Sequence, residues 1–94
     1  MTGSDPVRLN DCTVRTIPDL HQELVRRLGD SGPVCVDRTG IQRPNTALMQ
    51  LLVAFVRDLR TQSRAIQWQG ESASFDRAAR VLGLTGSLGL PADS

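Results

Sequence analysis

Two kinds of apolar pattern alternate along this chain. In short segments apolar and polar residues alternate one by one, as in half-buried strands, whereas in longer segments apolar residues recur every three or four positions, as in amphipathic helices. From residue 7 onward, the patterns predict the order β-β-α-β-α-β-α. We therefore expect an α/β fold in which about three or four helices pack on one small sheet.

The predicted strands are short. Val7–Leu9 and Cys12–Val14 alternate on either side of a turn pair at 10–11, which predicts a hairpin. The continuous apolar run Val34–Val36 predicts a strand that is covered on both faces or central in its sheet, and Ala65–Gln69 alternates again. A helix separates the hairpin from the run at 34–36, so we expect a mixed sheet of about four or five strands.

The longest predicted helix runs from about Thr46 to Thr61 and carries a wide apolar stripe. Asn45 or Thr46 can supply its N-cap. Shorter helices are predicted over about residues 17–28 and 75–82, each followed by a glycine. The segment 84–90 keeps three leucines, so we expect it to pack back onto the domain.

The length allows one domain. A chain of 94 residues buries only about two thirds of its unfolded surface, which leaves one modest core. We assign residues 7–90 to a single domain, residues 1–6 to a flexible N-terminus and residues 91–94 to a loose C-terminal tail.

Composition argues against several partners. The net charge is +1, and the aromatic residues are few, namely Phe55, Trp68 and Phe75, so neither a basic field nor a stacking platform for nucleic acid is expected. The first residues do not resemble a signal peptide, and no apolar run approaches the roughly 20 residues that cross a bilayer. We expect a cytoplasmic protein that does not insert into membranes.

Catalytic and cofactor motifs are also missing from the sequence. It contains no phosphate-binding glycine loop, and Ser-His-Asp chemistry would depend on the single histidine, His21. Cys12 and Cys35 lack the spacing of a zinc site. The sequence therefore predicts neither an enzyme nor a bound metal or cofactor.

One place has a more specific pattern. Thr46 starts the longest helix directly after a loop that contains Arg43. Free backbone N–H groups and the positive end of the helix dipole stabilise anions at such a position, including a phosphate attached to the threonine itself. The alternative is that Asn45 and Thr46 only cap the helix.

From residue 34 to about residue 84 the chain resembles a STAS domain, the family of anti-sigma factor antagonists and sulfate-transporter C-terminal domains. In that family a central strand ends in Asp-hydrophobic-Ser-Gly, and a loop then leads to Asp-Ser/Thr at a helix N-terminus. The matching segments here are Val36-Asp37-Arg38-Thr39-Gly40-Ile41 and Arg43-Pro44-Asn45-Thr46-Ala47-Leu48. The Arg-x-x-Thr spacing and the Gln69-Gly70 turn are most similar to the MlaB-like small STAS subunits of bacterial phospholipid-transport ABC systems.

The resemblance implies a non-catalytic interaction module. Thr46 occupies the position of the Ser or Thr that antagonists have phosphorylated by a kinase and that MlaB-like proteins present to an ATPase subunit. Asn45 replaces the usual acid, Leu48 replaces a glycine, and Arg38 and Pro44 replace apolar residues. With Thr46 as the central contact, the expected partner-binding residues are Arg43, Asn45, Leu48, Met49 and Gln50.

Three functions remain open on the sequence. An MlaB-like role implies an ABC-transporter ATPase as partner, whereas an antagonist role implies an anti-sigma kinase or another signalling protein. Because some STAS domains resemble nucleotide or lipid binders, a small-ligand sensor is the third. The absence of a phosphate-binding glycine loop argues against that third function.

Overall fold

The computed structural model of the protein describes residues 6–9 and 14–90. These ranges contain, in chain order, β1 (Val7–Arg8), a 3₁₀ turn (Val14–Thr16), α1 (Ile17–Leu28), β2 (Val34–Asp37), α2 (Thr46–Thr61), β3 (Ile66–Gln69), α3 (Ala73–Val81) and α4 (Thr85–Leu88). The α/β class is confirmed. None of the helices in these ranges is long and apolar enough to cross a membrane.

The sheet differs from the prediction. Its order is β1-β2-β3, and both strand pairs are parallel, so the described residues form a three-stranded parallel sheet instead of a mixed one with four or five strands. The predicted hairpin is wrong at Val14, which starts a 3₁₀ turn that leads directly into α1. The rest of its turn and second strand, residues 10–13, lies outside the described residues.

The strand register separates an apolar face from a polar one. Val36 is aligned with Val7 on one side and with Trp68 on the other, and these three side chains lie in or against the core. The alternate positions, among them Cys35 and Gln67, are half-buried or exposed. Within the described residues the core therefore lies against one face of the sheet, and β2 is its central strand, as predicted.

Helix α2 supplies much of the core. Its bounds agree with the prediction because its apolar residues recur at helical spacing over the whole length. Six of its side chains are buried: Leu48, Met49, Leu52, Phe55, Val56 and Leu59. They belong to or adjoin a cluster that also takes in α1 residues and the apolar face of the sheet.

The C-terminal segment packs onto the domain, as expected. Leu88 in α4 is fully buried, and its carbonyl oxygen accepts a 2.9 Å hydrogen bond from Nε1 of Trp68. The Trp68 ring also lies 5.4 Å from that of Phe75, centroid to centroid. These contacts join α4 and α3 to the edge strand β3.

Candidate functional site

The segments that leave the carboxyl ends of β2 and β3 lie together at one edge of the sheet. Because both strands are parallel, the loop 38–45 before α2 and the turn 70–72 before α3 leave from the same edge. In open α/β sheets, ligands bind outside the carboxyl ends of the strands. The sequence-predicted site residues all belong to this loop or to the start of α2.

Asn45 caps α2. Its backbone is extended, and its side-chain Oδ1 accepts a 2.7 Å hydrogen bond from the backbone N–H of Leu48. The cap leaves Thr46, the first residue of the helix, exposed. Among the hydrogen bonds of residues 6–9 and 14–90, none involves the Thr46 hydroxyl. Of the two candidate caps, Asn45 does the capping and Thr46 faces solvent.

Three of the predicted contact residues are exposed at this corner: Arg43 in the loop, Thr46 at the first position of α2 and Gln50 one turn later. We call these three residues the α2 corner. Arg43 makes no ion pair within the described part of the chain. Its charge adds to the positive end of the α2 dipole, so the corner favours a partner group that carries negative charge.

Leu48 and Met49 are not surface contacts. Their side chains are 1% and 0% exposed, which contradicts the prediction that they are partner anchors. The reason is helical spacing: Leu48 lies one turn before Leu52, and Met49 lies two turns before Val56, on the stripe that faces the core. Leu48 therefore fills the interior, although the STAS pattern that the sequence resembles has a glycine at this position.

Arg38 links the loop to α3, a role that the sequence prediction missed. The residue is only 8% exposed, and its guanidinium donates a 2.8 Å hydrogen bond to Oδ1 of Asp76 in α3 and a 3.2 Å hydrogen bond to the carbonyl of Gly70. The available signal was an arginine at a position that is usually apolar, together with an acid in the first turn of α3.

Ser72 makes a second link between the same segments. Its buried hydroxyl donates to the carbonyl of Ile41 at 2.7 Å and accepts from the N–H of Phe75 at 3.1 Å. One side chain thus caps α3 and holds the loop that leads to α2.

At the end of β2, the Asp37 carboxylate is fixed by the residue two positions later. Hydrogen bonds from the Thr39 side chain and from its backbone N–H, the latter 2.8 Å long, lower the pKa of Asp37. The backbone of Gly70 passes close by with φ +73°, and a Cβ there would overlap Thr39 Oγ1 and lie 2.9 Å from Asp37 Oδ1. A side chain at position 70 would displace this arrangement.

A groove at the other edge of the sheet is lined in part by an arginine that has a structural role. It encloses about 820 Å³ and is lined by residues that include Arg27 and Arg64. The Arg64 guanidinium donates to the carbonyls of Arg27, Leu28 and Gly32, so it caps the end of α1. No group of three or more potential metal ligands occurs anywhere in the described ranges.

Comparison with known proteins identifies one family. A family model described as "Mlab, STAS domain" matches residues 9–91, which is well over half of the chain. No curated protein and no solved structure matches the chain. The matched range contains the whole edge described above, from the end of β2 to the start of α3.

Proposed function

Since the chain belongs to the MlaB-like STAS domain family, we propose that it docks on the ATPase subunit of a phospholipid-transport ABC system through the α2 corner. STAS domains are regulatory and interaction modules and are generally not catalysts. Under this proposal, the partner of the chain is cytoplasmic, and the chain controls or stabilises the transporter.

The observation that carries the proposal is the exposure of Thr46 at the start of the longest helix. Because Asn45 makes the cap hydrogen bond, the Thr46 hydroxyl is available to a partner. A hydroxyl both donates and accepts, so it can pair with either kind of group on the facing surface.

Arg43 gives the corner its preference for charge. A guanidinium can bind a carboxylate through two parallel hydrogen bonds, which fixes orientation as well as attraction. We therefore expect an aspartate or glutamate of the ATPase subunit to face Arg43, and the partner's hydrogen-bonding groups to face Thr46 and Gln50.

The kinase-controlled alternative has less support at this corner. In an antagonist an acid precedes the phosphorylated hydroxyl, whereas Asn45 is neutral and is already used as a cap. We propose that Thr46 is a contact residue and not an efficient phosphate acceptor. Stoichiometric phosphorylation of Thr46 by a kinase encoded nearby, seen by intact mass, would contradict this.

The test is a binding titration with the ATPase subunit encoded in the same gene neighbourhood. Thr46→Glu and Arg43→Ala are each expected to weaken binding by about fivefold or more, since residues that dominate an interface cost above about 1 kcal/mol when altered. The fold should survive, because a glutamate in the first turn of a helix is favoured by the dipole.

Two matched controls lie on the same helix. Thr61→Glu repeats the substitution at the other end of α2, about 22 Å away, and Arg57→Ala removes an exposed arginine from its middle. Both are expected to bind like wild type when circular dichroism shows them folded. If folded Thr46→Glu and Arg43→Ala also bind like wild type, the α2 corner is not the interface.

A further inference from the structure

We propose that Arg38 is a positioning residue, which holds the α2 corner in the orientation that the partner recognises. The inference rests on the proposed function, because it concerns the same corner. It adds a requirement: the loop that carries Arg43 and Asn45 must be tied to α3 for docking to be efficient. Arg38 itself is only 8% exposed, so it offers a partner little surface to contact.

The loop has few other ties. Residues 38–45 form no helix or strand. In the described structure their backbone hydrogen bonds to other segments lie at the two ends of the loop: Arg38 N donates to Gln69 O at 3.1 Å, and Asn45 O accepts from Met49 N of α2 at 3.1 Å. In addition, side-chain links hold the loop against α3. They are the Arg38 guanidinium on Gly70 and Asp76, and the Ser72 hydroxyl on Ile41.

The guanidinium reaches two different elements at once. Its Nε donates to the carbonyl of Gly70 in the turn before α3, and its terminal NH1 donates to the Asp76 carboxylate within α3. Planar donors pointing in fixed directions define the relative placement of loop, turn and helix. A lysine has one ammonium and cannot reproduce this geometry.

The exposed fractions of Arg38 and Asp76 indicate that stability alone does not explain why position 38 is an arginine. The Arg38 side chain is 10% exposed, whereas that of Asp76 is 39% exposed and stays hydrated without its partner. Removing one partner of an ion pair is strongly destabilising when the other charge is left buried and unpaired, and the exposed Asp76 carboxylate does not meet that condition. What leucine cannot supply is the pair of directed hydrogen bonds, so stability and positioning are separable by experiment.

The decisive variant is Arg38→Leu, studied by native-state hydrogen exchange and by partner binding. We expect its unfolding midpoint in urea to stay near that of wild type, while the hydrogen-bonded amides among residues 39–48, namely Thr39, Ile41 and Leu48, exchange about tenfold faster and those of α1 and β2 are unchanged. Partner affinity should fall by about tenfold. Asp76→Asn keeps the acceptor oxygen and should restore most of the protection that Asp76→Ala loses.

Controls separate positioning from general loosening. Glu23→Ala breaks ion pairs to Arg26 and Arg27 on α1 and should leave the exchange of residues 39–48 unchanged. Ser72→Ala should accelerate exchange in the same segment as Arg38→Leu, and the exposed Ser74→Ala should not. If Arg38 acts through the corner, Arg38→Leu should cause no further loss of binding in a Thr46→Glu background.

The two proposals fail in different ways. Unchanged exchange of residues 39–48 in Arg38→Leu, or acceleration that is uniform across the protein, would overturn the positioning role whatever the partner does. Faster local exchange combined with wild-type affinity would also overturn it. If Thr46→Glu leaves binding intact, the α2 corner is not the interface, and Arg38 then has no docking surface to position.

Discussion

At the scale of single residues, Asp37 shows how this edge of the sheet is organised. Asp37 is the last residue of β2, and its carboxylate accepts hydrogen bonds from the Thr39 side chain and backbone. These hydrogen bonds stabilise the charged form of the carboxylate and lower its pKa. Partial burial and, to a lesser extent, the nearby charge of Asp37 raise the pKa of the Cys35 thiol on the same strand. Cys35 is therefore a poor nucleophile at neutral pH.

Replacing Thr39 by valine removes one of these hydrogen bonds and should raise the pKa of Asp37 toward its ordinary value. Because the folded pKa is lowered, the carboxylate stabilises the fold above about pH 4, its unfolded value, and this contribution is lost as the pH falls through the folded pKa. Thr39→Val should therefore be destabilised at neutral pH more than at about pH 2.

Carboxyl carbon NMR titrations of wild type and Thr39→Val measure the shift directly. Thr61→Val is the matched control, since its exposed hydroxyl bonds to the carbonyl of Asp58 and not to a carboxylate. Identical Asp37 titration curves in wild type and Thr39→Val would show that the hydroxyl does not stabilise the ionised carboxylate.

At the scale of elements, α2 was predicted with its bounds, whereas the segment around Val14 was not. The stripe of α2 repeats over the whole helix, and Asn45 gives its start a local signal. Val14 belongs to a short alternating stretch, and a pattern of three residues does not distinguish a strand from the turn that enters α1. Long periodic elements are specified locally, while short ones depend on what they pack against.

The cap itself gives a stability prediction. Asn45→Ala removes the acceptor of the Leu48 N–H and should cost about 0.5–2 kcal/mol of unfolding free energy, whereas Asn45→Asp retains an acceptor and adds a charge that the helix dipole favours. Urea denaturation compares the variants. If Asn45→Ala is as stable as wild type, the cap hydrogen bond contributes nothing to stability. Asn45→Asp has a second use, because it supplies the acid that phosphorylation of Thr46 would need.

At the scale of the whole molecule, one core holds the helices against the sheet. Leu52 has no exposed surface, while its neighbour Leu51 is half-buried at the margin of the same stripe. Leu52→Ala should cost about 2–5 kcal/mol because it removes contacts and leaves a cavity. Leu51→Ala should cost clearly less by chemical denaturation, and equal losses would place the centre of the core elsewhere.

The sequence by itself determined the α/β class, the length of α2, the central position of the 34–36 strand and the place of Thr46 at a helix start. Each of these follows from periodicity, from a local cap or from the match to the STAS pattern, all of which involve residues near one another in the chain. The same local view assigned Leu48 and Met49 to the surface.

Only the tertiary structure decided how far the buried face of α2 extends into its first turn and which distant side chains meet. Burial of Leu48 and Met49 depends on how α2 rotates against the sheet, and the link from Arg38 to Asp76 joins residues 38 positions apart. Because β2 and β3 are parallel, the loop after β2 and the turn after β3 lie at the same edge of the sheet. There Arg38 donates hydrogen bonds to Gly70 and Asp76. Side-chain contacts between distant segments arise from packing, so no local pattern specifies them.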